Sequence, residues 1–217
     1  MLGKAIKMNL EDLLPFVAVE GGVFLLYELI EAIIMYTAKP DTSGAVCGLI
    51  LMAFGVMMNL FAGAAYPSLN VEMLLRYGVT RRTALLATLC TMTLNATVSM
   101  ALAAALGWVD GRIAWAWVAT LPWVHEVESI GPPLWSYFAI GLGAVCLALG
   151  MGALLQKFGR RAFWVGWGLW MLLVVGINLV DMDALVESPA ALPTVIGICA
   201  VSLVTGCALT MRCTVKN

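Results

Sequence analysis

Six apolar stretches, each long enough to cross a bilayer, leave this chain few folds to choose from. They cover residues 13–37, 44–66, 83–107, 134–156, 162–180 and 191–211. A helix needs about 20 apolar residues to cross roughly 30 Å of hydrocarbon, where every backbone amide must find its partner inside the protein. The pattern predicts an all-α, polytopic transmembrane bundle of six helices, one membrane domain over residues 1–217. A hydrophobic fraction of 62% against a charged fraction of 12% excludes a solvated globular domain, because too little polar surface remains to cover one.

The basic residues orient the bundle. Lys4, Lys7, Arg76, Arg81, Arg82, Lys157, Arg160, Arg161, Arg212 and Lys216 fall on one side of the predicted spans, and only Lys39 and Arg112 fall on the other. Cytoplasmic loops hold the excess of Lys and Arg, so both termini are expected in the cytoplasm. Residues 1–12 mix polar and apolar side chains ahead of a full-length span, with no small-residue cleavage site, so the first span is expected to be retained.

Most soluble chemistry has no sequence signature here. No G-x-x-x-x-G-K-S/T loop cradles a phosphate, no H-E-x-x-H sets metal ligands on a helix face, and no G-x-S-x-G offers a nucleophile. The single histidine, His125, stands beside Glu126 and Glu128 at a spacing that matches no metal site, and reads as a solvated loop residue. Cys47, Cys90, Cys146, Cys199, Cys207 and Cys213 form no C-x-x-C pair, and read as small packing residues. No catalytic, cofactor-binding or metal-ligating set is therefore predicted, no nucleic acid is expected as a partner, and an intramembrane enzyme is disfavoured. Any energy source must come from another chain. Gly44 with Gly48, Gly141 with Gly143, and Gly150 with Gly152 provide small surfaces on which helix backbones can approach closely.

The segment between the second and third stretches is the most structured of the connections. Pro67 can start a short helix capped by Ser68 or Asn70, with Met73, Leu74 and Leu75 on its apolar side and Gly78 as its stop. Thr80 can then cap the third span, with Arg81 and Arg82 at the headgroups. By itself this describes an amphipathic loop that fixes topology.

The run from Leu74 to Arg82, Leu-Leu-Arg-Tyr-Gly-Val-Thr-Arg-Arg, resembles the G-V-T-R-R turn that follows the second span in small six-span permeases of ATP-binding-cassette exporters, the ABC type 2 class. Lys157-Phe158-Gly159 is similar to the basic-Phe-Gly turn after the fourth span of that family. The resemblance implies a bacterial plasma-membrane permease that pairs with a second copy or a homologous permease. Two copies of a cytosolic ATPase would bind ATP and Mg, and this chain itself would hold no cofactor. It also implies a coupling helix: Ser68, Met73, Leu74, Arg76, Gly78, Arg81 and Arg82 would dock on the ATPase, with Lys157, Phe158 and Gly159 as a second contact. The expected function is export of a hydrophobic or cationic compound such as a peptide or drug. The alternative is the substrate-binding membrane subunit of a vitamin or metal importer, which has similar length and span number. The chain departs from the larger members in joining its last two spans by residues 181–190 alone. Its long outer connection, 108–133, instead follows the third span and, with the start of the fourth, is rich in tryptophan: Trp108, Trp115, Trp117, Trp123 and Trp135. Those indoles serve either as interfacial anchors or as a lid.

Glu20, Glu28 and Glu31 lie in the first stretch with no intramembrane base to pair them. At about 100° per residue, Glu31 falls about 20° and Glu28 about 80° from Glu20, so the three share one face. A carboxylate in hydrocarbon costs at least about 2.5 kcal/mol, so that face is expected to look onto protein or water. Glu28, nearest the middle of the span, is either a protonated group bonded to Asn59, Asn95 or Asn178, or part of an acidic path for cationic cargo with Glu20, Glu31, Asn59 and Asn95.

Overall fold

The structure is a computed structural model that describes residues 13–129, 131–159, 161, 164–165, 168 and 191–212. It is mostly helical: α1 (Leu13–Thr37), β1 (Thr42–Ala45), α2 (Cys47–Arg76), α3 (Arg81–Thr120), β2 (Glu126–Ser129), α4 (Leu134–Phe158) and α5 (Ala191–Arg212). All five helices are long and apolar enough to cross a membrane. The span predicted at 162–180 lies outside the described residues, apart from a few isolated positions.

Two helices depart from the predicted boundaries. No separate short helix starts at Pro67; α2 runs unbroken through it to Arg76. A proline in mid-helix removes one ladder hydrogen bond, but the Pro67 ring is fully buried and packs where Gly152 of α4 leaves room for it. Tertiary packing thus outweighs the local break. Likewise α3 does not stop at Gly107 but continues to Thr120, so its 40 residues measure about 60 Å, twice the hydrocarbon thickness. Gly111 is the weakest helix former between Gly107 and Thr120, at a cost of about 1 kcal/mol. Pro122 marks where the helical pattern ends.

The described residues form two compact units. The first contains 60–92 and 145–212. Here the α2–α3 turn closes by a Schellman motif: Val79 N–H donates to Leu74 O (3.1 Å) and Gly78 N–H to Leu75 O (3.0 Å), with Gly78 at φ +76°. Leu74 and Val71 are buried against Ala84 and Ala87, with Val79 beside them, which supplies the hydrophobic contact of that motif. Thr80 caps α3, its hydroxyl accepting from Thr83 N–H at 3.4 Å. Gly63 lies against Ala148, and Ala64 and Pro67 against Gly152, so α2 and α4 run in the same direction. Arg81 donates to Met211 O at 3.3 Å, bringing the C-terminus of α5 to the arginine-bearing end as well.

The second unit contains 13–59 and 93–144. Its apolar centre is Cys47, Leu51, Met52, Met100, Ala103 and Tyr137. At Gly48 and Gly107 the backbones of α2 and α3 touch: a Cβ on Gly107 would stand 2.6 Å from Gly48 Cα. Beyond the helix ends, β1 and β2 pair in parallel, Thr42 opposite Glu126 through Ala45 opposite Ser129. Met35, Leu121 and Val124 form a small cluster with Trp117 and Trp123 nearby. Tyr36 meets Trp117 edge-on at 5.9 Å, and the Lys39 ammonium lies 5.1 Å from the Trp123 ring. The connection expected as a long loop is therefore a helix extension followed by a short strand.

Candidate functional site

The buried carboxyls of the second unit are its least expected feature. In a membrane span an ionisable side chain faces protein or a cavity and finds partners there, and the α1 face bearing Glu20, Glu28 and Glu31 does look onto α2, α3 and the strand pair. It divides into two places. Glu20 is buried and accepts a short hydrogen bond from Ser99 Oγ of α3, against Gly55 of α2. Roughly two to three helical turns further on, Glu28 and Glu31 meet Asp110 of α3, one carboxylate oxygen from each lying within 4.8 Å of the others.

The local supports of this triad follow from the helix ends around it. The first amides of a helix lack intrahelical partners. At the start of α2 one of them, Cys47 N–H, donates to Asp110 Oδ2 at 2.9 Å, so a residue 63 positions away does the work of an N-cap side chain. Ser43 of β1, fully buried, donates to Glu31 Oε1 at 3.0 Å. Tyr27 donates to Gly44 O at 3.3 Å, fixing β1 over the same helix end. The Glu28 carboxyl lies beside that of Asp110. The buried thiol of Cys47 is within electrostatic reach of all three carboxyls.

Of the partners expected for Glu28, two lie among the described residues. Asn59 turns its amide back on its own helix, donating to Gly55 O at 2.7 Å, and Asn95 is buried on α3. Asn178 lies outside the described residues. The carboxyl that the structure sets beside Glu28 is that of Asp110, which was not predicted. It was hidden because the third span is expected to end at Gly107, which leaves Asp110 in a loop. The absence of any strong helix breaker before Pro122 was the available signal. The triad lies beside the N-terminal end of α2. Ser43 and Ser99 carried no signal in sequence.

The first unit holds the other predicted residues. Gly78 (φ +76°) and Gly159 (φ +64°) close α2 and α4, and Ser68 lies inside α2. Arg76 pairs with Glu72 at 2.8 Å on the exposed surface, Arg81 and Arg82 are exposed, and the Lys157 ammonium lies 5.1 Å from the exposed Phe158 ring. Leu74 is corrected: only 2% of it is accessible, because it locks α2 to α3, and Met73 is half-buried. On α2, Leu69 and Tyr77 are exposed apolar side chains at this end. Comparison with protein-family models, with curated proteins and with solved structures finds no match.

Proposed function

We propose that this chain is the membrane permease subunit of an exporter of the ABC type, driven by a separate cytosolic ATPase and working as a dimer with a second copy or a related permease in the bacterial plasma membrane. The observation that carries this reading is the end of α2. The helix continues beyond Tyr66 without a break, is packed on α3 through Leu74, and presents Leu69 and Tyr77 exposed near Arg76, Arg81 and Arg82. An apolar pair with a basic surround suits a groove on a soluble partner, and an unbroken helix transmits a push at that end along the span. The matching direction of α4 puts Lys157 and Phe158 at the same end, as a second contact. The parallel run of α4 and α5 supports a sixth crossing between them, and with it two cytoplasmic termini. The acidic face of α1 supports cationic or amphiphilic cargo such as a peptide or drug. In this mechanism closure of the ATPase on ATP drives the α2–α3 hairpins together and switches the bundle between inward and outward access.

The test is affinity purification from the native membrane. A nucleotide-hydrolysing chain should accompany the wild-type protein, and Leu69→Asp, which puts an unpaired carboxylate into the docking surface, should reduce its recovery about tenfold or more while the permease still inserts. Purification of intact wild-type protein with no such chain overturns the reading.

A further inference from the structure

We propose that Glu28, Glu31 and Asp110 form a binding site for one hard divalent cation, of the size and oxygen preference of Ca²⁺. Three carboxylate oxygens within 4.8 Å of one another can all reach one ion, since two oxygens on opposite sides of Ca²⁺ stand about 4.8 Å apart at ligand distances of 2.3–2.6 Å. Clustering alone would not single out a ligand. The second observation is that buried oxygens here lack partners. Glu31 is 7% exposed and Asp110 0%, yet Glu31 Oε2 and Asp110 Oδ1 make no hydrogen bond, and neither does Glu28 Oε1. A buried orphan oxygen in a folded protein calls for a water or an ion.

Charge points the same way. Among the described residues the only ion pair is that of Arg76 with Glu72, so no basic side chain neutralises the triad. Three carboxyls held this close repel one another when ionised, and a divalent ion between them offsets that charge. All the donors are oxygen, which favours Ca²⁺, Mg²⁺ or Mn²⁺ over softer metals, and a site made by side chains from two helices is wider than the tight octahedron Mg²⁺ demands. The Asp110 and Glu31 carboxyls are held by Cys47 N–H and Ser43 Oγ, each through one oxygen, so the other oxygen of each is left to the ion. Half-buried Glu28 is the open side. Such an ion would tie α1, the start of α2 and the far part of α3 together.

Binding needs no partner chain, so it stands or falls separately from the exporter reading. The full chain, purified in detergent and stripped with EDTA, is titrated with Ca²⁺ alone, and separately with Mg²⁺ and Mn²⁺, by equilibrium dialysis and thermal melting. About one Ca²⁺ should bind per chain, with a rise in melting temperature that saturates with occupancy. Glu28→Gln and Glu31→Gln should each weaken binding about tenfold or more, while Glu20→Gln, in the separate Ser99 contact, should bind as wild type. Each variant is first shown to melt cooperatively in EDTA. Absence of saturable Ca²⁺ binding by cooperatively melting wild-type protein overturns the proposal, whatever the variants do, and means that protons alone neutralise the triad. Undiminished Ca²⁺ binding in both folded variants also overturns it.

Discussion

The two units of the molecule carry opposite chemistry. Among the described residues, the unit of 60–92 and 145–212 holds one acid, Glu72, against Arg76, Arg81, Arg82, Lys157, Arg161 and Arg212. The unit of 13–59 and 93–144 holds Glu20, Glu28, Glu31, Asp41, Asp110, Glu126 and Glu128 against Lys39 and Arg112. The placement differs as much as the sign. The bases of the first unit are mostly at the surface and its interior is held by apolar and small side chains fitted closely, as where Pro67 fills the space left by Gly152. In the second, four acids sit in or beside the interior, with hydroxyls, a helix-end amide and each other as neighbours. One region is thus specified by shape and the other by satisfaction of polar groups, and the two should respond differently to substitution.

The sharpest way to break this contrast is to put a charge into the shape-specified region. Leu74→Asp buries a carboxylate among the apolar side chains of Val71, Ala84 and Ala87. An uncompensated buried charge costs on the order of 3–5 kcal/mol, so the variant should lose most of its folded, monodisperse fraction in detergent. Leu69→Asp, on the same helix but largely exposed, should change the melting temperature little. Equal stability of the two variants would mean that Leu74 does not lock the hairpin, and that the first unit tolerates charge as the second does.

The same contrast explains what was legible in the sequence. Helix existence follows from long apolar runs, and the α2–α3 turn follows from local chemistry, because Gly78 and Thr80 act within a few residues of their partners. The triad could not be read that way. One of its supports joins Cys47 to Asp110 across 63 positions, and the separate Glu20 contact reaches Ser99 across 79. No periodicity encodes such pairs, and the one with Asp110 exists only because α3 extends past Gly107. The shared face of the three glutamates was visible from helical geometry, but their division into a Ser99 contact and an Asp110 cluster was not. Leu74 was misplaced for a related reason: on an amphipathic segment the pattern names the apolar face but not whether α3 or a partner covers it.

A middle-sized effect is expected where a polar group serves a helix end. Asp110→Ala removes the acceptor of Cys47 N–H and should cost about 1–2 kcal/mol, the upper part of the range for a lost N-cap. Asp110→Asn keeps an acceptor in place and should recover most of the loss. Chemical denaturation of the two variants in EDTA measures the difference without any contribution from bound ions. If Asn is as destabilising as Ala, the carboxylate charge beside the helix end, rather than the hydrogen bond, is what supports α2.

The smallest effect should come from the acid of the basic unit. Glu72 pairs with Arg76 one helical turn away on the exposed surface, its N-terminal position relative to the base being the favourable order. Exposed pairs of this kind are worth about 0.3–0.5 kcal/mol because water screens both charges and the side chains lose freedom in meeting. Glu72→Gln should therefore leave thermal stability nearly unchanged, with the small loss disappearing in high salt, where the pair is already screened. It should, however, free Arg76 and make the exposed end of α2 more basic. If that end meets an acidic groove, recovery of the ATPase should be kept or raised by Glu72→Gln, while Arg76→Gln should lower it. A fall in recovery with Glu72→Gln at unchanged stability would instead make Glu72 a contact in its own right, and the partner's groove would then have to offer a base to it.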